Sequence, residues 1–237
     1  LNRLIAKPRG VTRALILTPT RELAAQIDEH TRELAVHTPL TSAAVFGGVG
    51  MGPQEHAFRA GVDIIVATPG RLLDHFRFGY AKLERLEVLV IDEADRMLDM
   101  GFQPQVERIL KTVPKDRQTM LFSATMPESI LKLTTSYMKL PVRIEIAPQG
   151  TAAERVAQEL FIVRQDAKEK LLMHLLQEHA GSVILFIRTK HAARKLTRNL
   201  RDHGTTAAEI HSERTLGQRR EALEGFKNGR YRVLVAT

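Results

Sequence analysis

"VLVIDEADRMLDMGF" spans Val88 to Phe102. Its first four residues are apolar and rich in β-branched side chains, which predicts a short strand buried on both faces. Three carboxylates follow within four positions, at Asp92, Glu93 and Asp95. Like charges at that spacing repel, and an unpaired charge taken out of water is costly. A divalent cation would balance them. Mg²⁺ is a hard ion that favours oxygen ligands, and it is usually held through one or two carboxylates together with the phosphates of a substrate. Asp92 would then hold the metal directly or through water, and Glu93 would orient or deprotonate a water attacking a phosphate. An acidic helix start, favoured by the helix dipole, fits the same residues.

Outward from this stretch, short apolar runs alternate with longer helical patterns. Strands are expected at Ala14–Leu17, Ala43–Phe46, Ile64–Ala67, Val88–Ile91, Thr119–Phe122 and Val142–Ile146. Between them, Arg21–His37 reads as a helix with Leu23, Ala24, Ile27, Leu34 and Ala35 on one face. Met97 and Met100 read as core fillers. Pro148 and Gly150 break the rhythm, and 148–157 reads as a linker between a domain at 1–147 and another at 158–237. The alternation then restarts with strands at Leu160–Val163, Val183–Ile187, Ala207–Ile210 and Arg232–Val235. Helices are expected at Lys168–His179, Lys190–His203 and Leu216–Lys227. Such alternation implies two α/β units with mostly parallel sheets and a cleft between them.

The 237 residues are 43% hydrophobic and 26% charged, as in an ordinary globular chain, and contain no cysteine. Disulfides and thiolate metal sites are therefore excluded. No apolar run reaches the roughly 18 residues that suggest a membrane span. The net charge of +8 is uneven. Residues 1–150 carry 19 basic against 17 acidic side chains, and residues 151–237 carry 16 against 10. A basic surplus suits a polyanionic partner, because lysine and arginine displace counterions from phosphates; it also suits a solvated surface.

In a parallel sheet, ligands bind beyond the carboxyl ends of the strands. "TPTREL" (Thr18–Leu23) follows the first strand, with Thr20 placed to cap the next helix. "TPGR" (Thr68–Arg71) follows the third, and "FSATMP" (Phe122–Pro127) follows the fifth with the Ser123 and Thr125 hydroxyls. Helix starts and arginines bind phosphates. "FGGVGMG" (Phe46–Gly52) would let a ligand approach the backbone closely, or simply make a flexible turn. "RTKHAARKLTRNLR" (Arg188–Arg201) reads as a solvated basic helix face, with only its start directed to a polyanion.

With "DEAD" at Asp92–Asp95, "PTRELAAQ" at Pro19–Gln26, Gly47–Gly48, "TPGR" and "SAT" in this order, the chain resembles a DEAD-box ATP-dependent RNA helicase of superfamily 2. "ILFIRTK" (Ile184–Lys190), "IHSERTLGQRREALEGFKNG" (Ile210–Gly229) and "RVLVAT" (Arg232–Thr237) resemble the family's second domain. The resemblance implies two tandem RecA-like parallel-sheet domains, both incomplete in this chain. It implies ATP and Mg²⁺ as cofactors, RNA as partner with little sequence preference, no membrane, a cytoplasmic location and undefined ribonucleoprotein partners. It makes Asp92 the Mg²⁺ residue and Glu93 the catalytic base. Asp95, Ser123 and Thr125 would link the state of the nucleotide to the RNA-bound arrangement. Thr20, Arg21, Gly48, Thr68, Gly70 and Arg71 would hold the RNA backbone from the first domain, and Arg188, Thr189, Arg219 and Thr237 from the second. An ATP-gated RNA clamp and a DNA-acting helicase of a related family fit the same pattern.

Three departures stand out against the family pattern. No Gly-Lys dipeptide occurs, so a phosphate-binding loop of the Walker type is missing; an internal fragment, inactive as an ATPase by itself, is expected. Leu216 stands where the family usually has glutamine, and Gln218 is out of register. Ser212 and Glu213 replace the more usual Gly-Asp.

Overall fold

The Val88–Ile91 run is a strand, and its hydrogen-bonding neighbours explain most of the first half of the chain. The structure is a computed structural model that describes residues 1–6, 8–145 and 156–237. It divides into two compact units, residues 1–151 and 152–237.

Unit 1 runs α1 (Asn2–Ile5), β1 (Ala14–Leu17), α2 (Arg21–Ala35), β2 (Ser42–Val45), α3 (Gly52–Arg59), β3 (Ile64–Ala67) and α4 (Pro69–Phe76). It continues with β4 (Val88–Ile91), α5 (Ala94–Asp99), α6 (Gln103–Thr112), β5 (Gln118–Leu121) and α7 (Glu128–Tyr137). The five strands form a sheet in the order β2-β3-β1-β4-β5, and every pairing is parallel. Strand β3, flanked by β2 and β1, is buried throughout, and Leu15, Leu17, Ile65, Leu72, Leu89, Met97, Ile109 and Ile130 form the centre of the core. Their removal from water is the main stabilising term for this unit.

At the opposite, amino-terminal rim, Asp63 is fully buried. It accepts from Arg13 Nη2 at 3.0 Å and from both the amide and the hydroxyl of Thr41 at 3.0 Å. Burial alone would push its carboxyl up, but these donors and Arg9 hold it below the ordinary aspartate value.

Unit 2 begins, after a short 3₁₀ turn at Gln165–Ala167, with α8 (Lys168–Glu178) and β6 (Val183–Phe186). It continues with α9 (Lys190–Asp202), β7 (Ala207–Ile210), α10 (Leu216–Lys227) and β8 (Val233–Ala236). Its sheet is also parallel, in the order β6-β8-β7. The core is smaller, around Leu176, Ala193, Leu200, Val233 and Val235. Edge strand β6 leaves Ile184 and Phe186 exposed, the latter at 84%.

Several expectations need correction. The strands expected at Val142–Ile146 and Leu160–Val163 do not form. Val142–Glu145, the described part of the first, is irregular, and Val142 and Ile144 are exposed; so are Leu160 and Ile162. Apolar alternation supplies side chains for a strand, but a strand exists only as half of a hydrogen-bonded ladder, and neither segment has one. On α2 the inner face is Ala24, Asp28 and Ala35, and Leu34 is 74% exposed. Asp28 takes the inward place because Ser42 donates to it at 2.6 Å. Strand β4 is fully buried at Leu89 and Ile91 only. Val88 and Val90 line a cavity of about 300 Å³ on the other face. Met97 is a core residue, but Met100, at the end of α5, is half exposed. Of the expected linker, 148–155 lies outside the described residues.

Candidate nucleotide and nucleic-acid site

The parallel ladders of unit 1 extend one residue past the strands. The Asp92 amide donates to Leu17 O at 2.9 Å, Phe122 N–H to Ile91 O at 2.8 Å, Thr18 N–H to Ala67 O at 2.9 Å and Thr68 N–H to Val45 O at 3.0 Å. These bonds set five strand exits side by side on one rim. Across that rim the order is Gly47–Gly48, Thr68–Arg71, Thr18–Arg21, Asp92–Asp95 and Ser123–Thr125. The order along the chain is different. Only the crossovers of the sheet set Thr18–Arg21 between Thr68–Arg71 and Asp92–Asp95.

The three carboxylates separate into three environments. Asp95 Oδ2 accepts from the amide and the hydroxyl of Thr125, both at 2.8 Å, and Oδ1 accepts from Arg96 N at 3.0 Å. Its own amide donates to Ser123 Oγ at 3.2 Å, and that hydroxyl donates to Thr125 O at 2.7 Å. Burial would raise the Asp95 carboxyl, but the Thr125 hydroxyl and amide more than offset that and lower it. Glu93 Oε2 lies 3.3 Å from Arg96 Nη1. Asp92 Oδ1 accepts from the Glu93 amide at 2.9 Å. The crowd is thus tolerable without a cation, because each acid has its own donors and all three are only partly buried.

No group of three or more metal-ligating side chains occurs among the described residues. The half-exposed Asp92 still suits an ion held by a single carboxylate with phosphates and waters completing its shell. The backbone at Glu93 is left-handed, with φ 47° and ψ 51°, a conformation that costs a non-glycine residue roughly 1–2 kcal/mol. Such strain collects at functional sites.

On the other side of the rim, Thr20 caps α2, its hydroxyl accepting from Leu23 N at 3.3 Å. The cap fixes the first turn, and with it Arg21, whose guanidinium packs against the double glycine. The φ of +83° at Gly48 strains any side chain there, and a Cβ would press on the tip of the Arg21 guanidinium, so glycine is favoured. Arg71 Nη1 donates to Val49 O at 2.9 Å. Thr68 is buried and accepts the first bond of α4 from Leu72 N. Nothing lies within 4 Å of a Cβ built on Gly70, so the helix start there is open to approach. Two buried residues that sequence reasoning missed join this part of the rim, Gln54 and His75; a lone polar side chain inside a helix gives no signal of them.

Unit 2 repeats the scheme with fewer internal ties. Thr189 caps α9, accepting from Ala192 N at 3.2 Å, and leaves Arg188 exposed at the end of β6. The Thr237 amide donates to Ile210 O at 3.2 Å, and half-buried Arg219 closes the first turn of α10, its amide donating to Thr215 O at 2.9 Å. The out-of-register Gln218 has a structural role. It is the third residue of a capping box, exchanging hydrogen bonds with Thr215 at 3.0 and 3.3 Å. Leu216 is simply the first helical residue. Glu213 binds Lys190 and, at 2.9 Å, Arg194, and the Lys190 hydrogen bond holds its carboxyl below the ordinary value.

A family model for the DEAD/DEAH box helicase matches residues 1–133, and one for the helicase conserved C-terminal domain matches residues 167–237. The ATP-dependent RNA helicase DbpA of Bacillus subtilis (strain 168) is 43% identical over 94% of this chain and 47% of its own length. The DEAD-box ATP-dependent RNA helicase 28 of Oryza sativa subsp. japonica is 41% identical over 100% of this chain and 30% of its own. The chain therefore spans half or less of the curated relatives it matches. Among solved structures, Saccharomyces cerevisiae Dbp5 bound to RNA and ADP BeF3 aligns with 98% of this chain and 60% of its own, at a TM-score of 0.84 and 28% identity. A DEAD box protein from the hyperthermophile Methanococcus jannaschii is 36% identical, covering 99% of this chain and 63% of its own, at a TM-score of 0.57.

Proposed function

The chain belongs to the DEAD/DEAH box helicase family, and from that premise we propose that the protein is a cytoplasmic RNA-dependent ATPase that couples ATP hydrolysis to RNA binding and local duplex unwinding. The observation that carries this reading is the tie between two strand exits, where Asp95 takes both donors of Thr125 while its amide rests on Ser123. These bonds give a change at one exit a direct path to the other.

In this reading Asp92 holds Mg²⁺ directly or through water, and bound Mg²⁺ supplies charge neutralisation at the phosphates. Glu93 orients and deprotonates the attacking water, and Arg96 fixes its carboxylate. Asp95, Ser123 and Thr125 pass the state of the nucleotide to the rest of the rim. Thr20, Arg21, Gly48, Thr68, Gly70 and Arg71 hold an RNA backbone, as Arg188, Thr189, Arg219 and Thr237 do from unit 2. Contacts to phosphate and sugar position a strand without reading its bases, so sequence preference is slight.

The test uses a form of the protein that spans the length of its relatives. Glu93→Gln abolishes RNA-stimulated ATP turnover and leaves ATP-dependent RNA binding in place. Unchanged hydrolysis would overturn the assignment of the base. Equal stimulation by DNA of the same length would overturn RNA as the substrate, since the 2′-hydroxyl is the chemical difference on offer.

A further inference from the structure

His75, on α4, is fully buried, and the proposed chemistry does not use it. Tyr80 Oη lies 2.7 Å from its Nδ1, and Gln54 Oε1 lies 3.0 Å from its Nε2. Gln54 Nε2 in turn donates to Phe46 O at 3.0 Å. Phe46 O only accepts, which orients the glutamine amide with its oxygen toward the ring. Nε2 must therefore carry the imidazole proton, and Nδ1 accepts from the Tyr80 hydroxyl. The protons all run one way, from Tyr80 to His75 to Gln54 to Phe46, and bonds in such a chain strengthen one another. Burial, and then the neighbouring Arg71 guanidinium, lower the pKa of His75, in keeping with a neutral ring.

The end of this chain of bonds is the residue just before Gly47–Gly48. Arg71 sits one turn before His75 on the same helix and donates to Val49 O. Helix α4 thus braces the loop twice, directly at Val49 and through Gln54 at Phe46. The Arg21 guanidinium packs against the glycines between the two braces. We propose that His75 is a positioning residue. Through Gln54 it fixes the Gly47–Val49 loop in the place from which Arg21 and Arg71 meet an RNA backbone. The inference rests on the RNA-binding reading above. Filling space would not need the nitrogens: the ring also packs on Phe58 and Tyr80, with centroids at 5.2 and 5.7 Å, and a phenyl ring would serve that purpose equally.

His75→Phe keeps the ring and removes the bonds. In a form of the protein that spans the length of its relatives, with ATP present, it should weaken binding of a short fluorescein-labelled oligouridylate by about 3- to 10-fold, the worth of one or two lost hydrogen bonds. Amide hydrogen exchange should quicken at Gly47–Met51 and stay as in the parent in β1 and β3. Tyr80→Phe deletes a single hydroxyl and should give a smaller loss, about 2- to 3-fold, with the same localised exchange. Parent-like affinity and loop exchange in His75→Phe would overturn the proposal, as would faster exchange in loop and sheet alike, the mark of a purely structural role. If His75→Phe does not fold, the same two readouts on Tyr80→Phe decide. Failure of the parent protein in that same form, with ATP present, to bind the oligouridylate, with Arg71→Ala no different, would sink the RNA reading instead; loop exchange would still show whether the brace exists.

Discussion

Asp95 and Glu213 are both carboxylates near a strand exit, each ringed by donors, yet they are held differently. Asp95 takes hydrogen bonds from a backbone amide and a hydroxyl of a neighbouring strand exit, above a sheet whose centre is fully buried. Glu213 lies on the surface between two long flexible cations, Lys190 and Arg194, beside a three-stranded sheet whose edge shows Phe186 to solvent. Hydrogen bonds from fixed backbone depend on the fold and little on salt. Exposed ion pairs depend on ionic strength and contribute little to stability. The rim of unit 1 is therefore a rigid template, and that of unit 2 is an adjustable charged surface.

The largest expected effect tests how far unit 1 stands on its own interior. Asp63→Ala leaves Arg13 buried without its partner, which costs about 3–5 kcal/mol. In urea the transition of unit 1 should move to lower denaturant while that of unit 2 stays. A joint shift of both transitions would mean that the two units do not unfold independently.

Acid sharpens it. Asp63 and Asp95 are both lowered in the folded state, against an upward push from burial. Such groups stabilise fully above the unfolded value, about 3.9 for aspartate. That stability disappears as pH falls through the lower folded values. Unit 1 should thus lose stability below about pH 4 with a slope that salt barely alters. A salt-dependent acid transition in unit 1, followed by hydrogen exchange of β1 and β3, would contradict the template picture.

The smallest effect is expected at Glu213. Glu213→Gln should leave the thermal transition of unit 2 unchanged at physiological salt, with a difference emerging only at low salt. A clear loss at physiological salt would mean that this ion pair is structural after all.

Much of the candidate site was legible because its residues are local signals. A hydroxyl before a helix reads as a cap, and Thr20 is one. Apolar runs ending in Thr-Pro, Asp-Glu or Ser-Ala-Thr read as strand exits, and those runs are strands. What failed did so for want of partners. Val142–Glu145 and Leu160–Val163 have the alternation of strands and no ladder to join. Leu34 has the right chemistry for the inner face of α2, but Asp28 holds that line of the helix through Ser42.

The alternation of strands and helices and the side chains at the strand exits were written in the sequence, because capping and apolar periodicity act over a few neighbouring residues; the exact bounds, and the absence of strands at Val142–Glu145 and Leu160–Val163, were not. Only the tertiary structure decided that Gly48 lies under Arg21, that Thr125 is bonded to Asp95, and that His75 reaches Phe46 through Gln54. These contacts depend on the strand order β2-β3-β1-β4-β5. That order is set by crossover connections and by which faces can be buried together, and no local pattern encodes it.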